Sequence, residues 1–237
     1  MKKEMKLLKF GLGNNNDKLK KIDDWQQSPF KTLSLTFTLP SGTTCPSAKI
    51  CKTFYSQKLN KIVDKGEIRC FSAMSEVRPS VSALVWHNYN LLRPIKKDVQ
   101  ALTNLIYNSL VNNKYGKPEL VRVHVGGDFF TPQYMLAWFN VASKLKDITF
   151  YSYTKEIKTL KDNIGFKPDN YIFTLSYGGK HDNLIKDLNI KSATIVDSEN
   201  DTELPIDTNE FLALTSNKDF ALVKHGTQPK KWNFIQD

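Results

Sequence analysis

Three cysteines stand in one stretch of the first third of the chain: Cys45, Cys51 and Cys70, spaced C-x5-C and then by 18 residues. Thiolates are soft ligands suited to zinc or to iron–sulfur clusters. An odd number of cysteines behind a start with no secretory pattern argues against a disulfide framework. A tetrahedral zinc site would carry a C-x2-C or C-x4-C hook and a fourth Cys or His nearby. The nearest histidine, His87, lies in the apolar run Val85-Trp86-His87 and reads as a packing residue. Three thiols with no obvious fourth ligand fit a four-iron, four-sulfur cluster held by Cys45, Cys51 and Cys70, with one iron left open. Zinc, and three unligated cysteines buried as small apolar side chains, stay open as alternatives.

The elements that must position these thiols are legible in the hydropathy pattern. Residues 32–39 alternate apolar and hydroxyl side chains at period two, a strand ended by Pro40-Ser41-Gly42. The cysteine segment follows, then two helices over 79–92 and 94–112, the second with Pro94 in its first turn. From Glu119 onward strands over 120–125, 148–152, 171–175, 192–196 and 220–224 alternate with helical stretches over 132–146, 156–162 and 181–188. Strands separated by helices imply parallel pairing, because each crossover needs about a helix of chain. The expected fold is α/β: a partial (βα) barrel of mostly parallel strands with an N-terminal elaboration carrying the cysteines. Residues 1–237 read as one domain, with 1–31 as a surface extension, 32–118 as first strand, cysteine loop and helices, and 119–237 as βα repeats.

In such sheets the carboxyl ends of the strands line the site. Those ends read Gly126-Gly127-Asp128, Tyr153-Thr154-Lys155, Ser176-Tyr177-Gly178-Gly179, Asp197-Ser198 and His225-Gly226. Small residues admit a ligand to the backbone, and Asp128, Lys155, Ser176 and His225 offer hydrogen bonds and proton transfer. Asp128 and Lys155 suit an acid/base pair or, equally, a structural salt bridge. His124, Trp86, Trp138 and Phe139 read as core.

The chain carries 34 Lys and Arg against 24 Asp and Glu, a formal charge of +10. That excess favours polyanionic partners, so nucleic acid enters as a partner, through Lys18-Leu19-Lys20-Lys21 and the lysines of 224–231. A basic accessory protein that binds nucleic acid without a cluster is the alternative reading. No apolar run approaches the roughly 20 residues of a membrane span, and a cytoplasmic protein is expected. The loops G-x-G-x-x-G, G-x-x-x-x-G-K-[ST] and G-x-S-x-G are all missing, which disfavours a dinucleotide-dependent dehydrogenase, an NTPase and an ordinary hydrolase.

Cys45-Pro46-Ser47-Ala48-Lys49-Ile50-Cys51, Arg69-Cys70-Phe71-Ser72-Ala73, and Arg122-Val123-His124-Val125-Gly126-Gly127-Asp128-Phe129-Phe130 form an ordered set with Phe150-Tyr151-Ser152-Tyr153-Thr154-Lys155 and His225-Gly226-Thr227-Gln228-Pro229. The set resembles the gene product eighty-eight family of phages and bacterial, often mobile, DNA, a family without settled biochemistry. More distantly, the order of strand, cysteine loop, helices and glycine pair is similar to radical S-adenosylmethionine enzymes. Their usual C-x3-C-x2-C spacing is absent here, while an aromatic residue beside the last cysteine, Phe71, matches. This second likeness implies S-adenosylmethionine as cofactor and an electron donor protein as partner. Gly126 and Gly127 would meet the cofactor's amine with open carbonyls. Ser176 or Lys155 would face its ribose or carboxylate, beside Gly178 and Gly179.

Overall fold

Six segments lie side by side, in chain order and all parallel: Ser34–Phe37 (β2), Leu120–Val123 (β5), Thr149–Thr154 (β6), Tyr171–Ser176 (β7), Ser192–Val196 (β8) and Phe220–Val223 (β9). The short strand Gly11–Leu12 (β1) adds antiparallel to β2, completing a seven-stranded sheet. A separate hairpin joins Thr53–Ser56 (β3) to Lys61–Asp64 (β4). The computed structural model that gives this architecture describes residues 6–15 and 33–228.

The helices are Phe71–Ser75 (α1), Pro79–Leu92 (α2), Val99–Val111 (α3), Pro132–Lys144 (α4), Ile157–Asn163 (α5) and Phe211–Thr215 (α6). Local chemistry sets their starts. Asp98 caps α3 by accepting the Ala101 N–H at 2.9 Å, and Thr131 caps α4 by accepting that of Tyr134 at 3.1 Å. Pro79 and Pro132 occupy first-turn positions where no N–H is needed.

Period-two alternation divides the sheet into two different faces. Leu35, Phe37, Val121, Val123, Phe150, Tyr171, Phe173 and Leu175 pack with Leu92, Leu102, Ile106, Met135, Trp138, Phe139 and Leu160 of the helices in one large core. Consecutive strand order with right-handed crossovers places successive helices on a common face, which is why one core suffices. The opposite face carries Thr36, Arg122, Tyr153 and Ser176, all of which line a cavity. Toward the strands' amino ends, Leu214 of α6 covers this face by packing on Leu120 and Tyr151.

The sequence boundaries mostly agree with these elements to within a few residues. Three differences have clear causes. The stretch 94–112 begins as a 3-10 turn, Arg93–Ile95, and becomes α-helical only after the Asp98 cap. Residues 181–188 form a 3-10 turn, Asp182–Asp187, because the two oxygens of Asp182 are bound to the N–H groups of Gly178 and Gly179. The described part of the N-terminal extension is no surface wrap: Leu8 and Phe10 are buried in the main core and β1 extends the sheet. The remainder, including Lys18-Leu19-Lys20-Lys21, lies outside the described residues.

Candidate functional site

Eighteen residues separate Cys51 from Cys70, and the hairpin explains how such a spacing forms a local cluster. Thr53 and Asp64 are register partners at its base. Next to it the Lys65 N–H donates to the Lys52 carbonyl at 2.8 Å and the Ile68 N–H to the Ile50 carbonyl at 2.9 Å. The Cys70 N–H then donates to the Thr53 hydroxyl at 3.2 Å. The insertion leaves and returns at one place, so Cys70 arrives beside Cys51. Arg69 locks the return: its Nε donates to both oxygens of Asp64, at 3.0 and 3.1 Å.

The Cys45–Cys51 loop is fastened to three strand ends at once. Ser47 donates its N–H and its hydroxyl to the two oxygens of Glu156, just past β6, at 2.7 and 2.8 Å. The Lys49 and Ile50 N–H groups both donate to the Gly178 carbonyl, past β7, at 3.1 Å. The Asp128 N–H, past β5, donates to the Thr44 carbonyl at 3.1 Å. At the start of the loop, Glu76 accepts the Ser41 N–H at 2.7 Å.

These fastenings bring Cys45, Cys51 and Cys70 to one cavity of about 890 Å³, shared with Gly126, Gly127, Asp128, Lys155, Ser176 and His225. All three thiols are free and partly buried. Burial pushes the Cys45 thiol well up, and charge on Asp128, Cys70 and Cys51 adds to the rise. Burial and the neighbouring Cys51 raise Cys70 in the same way, against weaker opposing hydrogen bonds from Ala73, Ser72 and Ser41. The thiols therefore stand within electrostatic reach of one another, at a place that favours the protonated forms of Cys45 and Cys70 until a cation offsets the cost. Among the described residues, no group of three or more His, Cys, Asp and Glu side chains is arranged to hold a metal ion.

The remaining sequence-derived residues take defined places. The Asp128 carboxylate accepts three hydrogen bonds, from the Phe129 N–H, the Thr154 hydroxyl and the Lys155 N–H at 2.7–2.8 Å; burial nonetheless raises its pKa. Lys155 turns its ammonium to the Ser176 hydroxyl rather than to Asp128, so the two form no direct salt bridge. His225 is exposed at the cavity mouth, its ring 4.7 Å from that of Phe71. Gly178 and Gly179 lie outside the cavity lining and grip the cysteine loop instead. Gly178 has φ +92°, and a Cβ there would fall 2.2 Å from Ile50 Cδ1. Gly126 does not offer a wholly open carbonyl, since it accepts the Leu39 N–H at 2.9 Å.

His124 packs against Phe37, Phe129 and Tyr134, and burial lowers its pKa to about 3, so it is neutral. His87 hydrogen-bonds the Leu7 carbonyl at 2.8 Å and is no part of the cavity. Trp138 and Phe139 are core residues. Of the basic C-terminal run, Lys224 is described and pairs with Asp197. No helix among the described residues is long and apolar enough to cross a membrane.

Sequence reasoning passed over three features. Glu76 and Glu156 anchor the cysteine loop, and no motif announces them. Arg122 forms a buried pair with Glu210 at 2.8 Å and lies over the Tyr153 ring at 5.5 Å. An arginine inside the apolar strand Leu120-Val121-Arg122-Val123 was a usable signal, because such a charge must find a partner.

The family model named Gene product 88 matches residues 5–236 of this chain. The chain is 33% identical over 124 residues to the Gene 88 protein of Mycobacterium phage D29, covering 49% of this chain and 45% of that one. It is 32% identical over 124 residues to the Gene 88 protein of Mycobacterium phage L5, covering 49% and 46%. The match thus spans a little under half the length of these relatives. No solved structure matches.

Proposed function

The chain belongs to the Gene product 88 family, and we propose that it is an iron–sulfur protein working on a partial (βα) barrel, in the cytoplasm of a bacterial host. Cys45, Cys51 and Cys70 would hold a four-iron, four-sulfur cluster. One observation carries the reading: the three thiols of a single stretch of chain line one cavity at the carboxyl ends of consecutive parallel strands, together with Gly126 and Gly127.

The donor set suits the group. It is all sulfur, and the two thiols raised by burial gain most from a cation. In a cubane cluster each cysteine binds a different iron, so the sulfurs stand further apart than around one ion. What supports the cluster is therefore the shared cavity and the all-sulfur donor set; zinc, with four ligands about 2.3 Å from one centre, stays the other metal that the reconstitution test distinguishes. When bound, the cluster would supply one electron, delivered by a donor protein, and an open iron for a small cofactor such as S-adenosylmethionine.

The protein's own share is placement and exclusion of water. Gly126 lets β5 approach the cysteine segment: a Cβ there would lie 1.9 Å from Ser72 Oγ. Lys155, buried and held by Ser176, presents a fixed cation to a carboxylate. Asp128 holds the Phe129 and Lys155 backbone N–H groups and the Thr154 hydroxyl in place at the cavity. The unbroken order of six parallel strands, with helices packed on one face and a cavity on the other, supports a curved part-barrel over a flat sheet.

Purification without oxygen, with iron and sulfide analysis, tests the reading. Brown protein with several irons per chain, whose visible absorbance is lost in Cys45→Ala, Cys51→Ala and Cys70→Ala variants that still fold, is the expected result. Protein that stays colourless and iron-free after anaerobic reconstitution overturns it.

A further inference from the structure

Of the chain's 34 Lys and Arg residues, only Arg69, Arg78, Arg93 and Arg122 are arginine. Three of those four, Arg69, Arg78 and Arg122, line the cavity, while among the described lysines only Lys155 and Lys224 do. A chain that uses lysine almost everywhere else places its planar, two-pronged cations at this one cavity. Arginine differs from lysine in the bidentate grip it offers carboxylate and phosphate oxygens. Two of the three are committed internally, Arg69 to Asp64 and Arg122 to Glu210. Arg78 is not: it is exposed at the N-cap of α2, and among the described residues its guanidinium has no acidic partner.

The cavity's acids leave that charge uncompensated. Asp128 is engaged by three donors of its own surroundings and Glu210 is held by Arg122. At the same cavity, the Phe71 and His225 rings lie 4.7 Å apart and tilted by 41°, an aromatic pair whose π-faces are of the kind on which a base stacks. We infer that the ligand entering this cavity is a phosphorylated nucleotide unit, its phosphate gripped by Arg78 and its base laid on the Phe71–His225 pair. This names the substrate class of the site read above and rests on that reading for the cavity's being the place of reaction. Nucleotide binding itself needs no cluster.

The test is calorimetric titration of the full chain, before and after iron–sulfide reconstitution. The probes are nucleoside 5′-monophosphates, the matching nucleosides, inorganic phosphate and a short 5′-phosphorylated single-stranded oligonucleotide. A monophosphate or the oligonucleotide binds at least about tenfold tighter than nucleoside or inorganic phosphate, the range of one charge-assisted contact. Arg78→Ala loses about tenfold or more with its melting temperature unchanged, Arg78→Lys recovers part of the loss, and Arg93→Ala matches the wild type. Binding of the monophosphate identifies a free nucleotide as the source, and binding of the oligonucleotide alone identifies a strand.

Equal affinity for nucleoside and monophosphate, or no binding by any probe, overturns the inference. So does oligonucleotide binding that survives Arg78→Ala, since it belongs to the lysine surface. Iron content is scored on the same samples. Colourless protein that binds nucleotide refutes only the cluster, and iron-loaded protein that binds none refutes only the nucleotide.

Discussion

Ser47 gives both of its donors, backbone N–H and hydroxyl, to the two oxygens of Glu156, 109 residues away in sequence. This one pair ties the loop bearing Cys45 and Cys51 to the end of β6. The site therefore depends on a carboxylate that touches neither thiol nor cavity, and disturbing it separates positioning from ligation.

Glu156→Ala leaves two buried donors of Ser47 unpaired, and a stability loss of about 2–3 kcal/mol is expected. Glu156→Gln keeps one acceptor oxygen and recovers more than half of that loss. Urea unfolding of the three proteins measures it. If Ala and Gln are equally destabilising, the loop is held by its other contacts.

Glu76 and Glu156 also make the anchoring pH-dependent. Burial raises each carboxyl from its ordinary value of 4.5 to about 7. Between those values the folded chain keeps protons that the unfolded chain has released. The stability they confer is complete below about pH 4.5 and is lost as pH rises through about 7. The melting temperature of the wild type is expected to fall more between about pH 5 and about pH 8 than that of the Glu76→Gln/Glu156→Gln double variant. Parallel falls would show that other groups govern the profile.

Gly126, just past β5, runs close against Ser72 of the segment that follows Cys70. A Cβ on Gly126 meets Ser72 Oγ at 1.9 Å and Ser72 Cβ at 2.9 Å. Gly126→Ala is expected to cost about 1–3 kcal/mol through overpacking. Adding Ser72→Gly removes the obstruction, so the double variant should be more stable than the sum of the single losses implies. A strictly additive cycle would place the strain elsewhere.

The Arg122–Glu210 pair is almost fully buried, with side-chain exposures of 8% and 1%. Glu210→Gln leaves the arginine charge without its counterion, at an expected cost of about 3–5 kcal/mol. Arg122→Met with Glu210→Leu removes both charges and should restore most of the loss. Thermal unfolding of the single and double variants decides the matter; a double variant no better than Glu210→Gln refutes the account.

Arg69 holds the hairpin's return to Cys70 through Asp64, at partly exposed positions where the pair contributes only about 1 kcal/mol. Arg69→Ala is expected to unfold little of the protein yet to lower the iron retained per chain after anaerobic reconstitution. Unchanged iron content would mean that the Thr53 hydroxyl alone positions Cys70.

Much of this protein was determined by local sequence. Period-two strands, proline-started helices and polar strand ends are short-range signals, and β8 and α2 fall at the expected residues, Ser192–Val196 and Pro79–Leu92. The cysteines and the glycine pair announced themselves by residue type alone. Tertiary structure decided the rest. A C-x5-C-x18-C spacing says nothing about proximity until β3 and β4 pair and return the chain to Thr53. The partners of Ser47, Ser41 and Arg122 lie from 35 to 109 residues away. Gly178 and Gly179, which read as ligand contacts in sequence, are clasps for a loop more than a hundred residues earlier. Residue type fixes what a group can do, but long-range packing alone decides which buried donors and charges find one another, because each must be satisfied wherever the fold brings it.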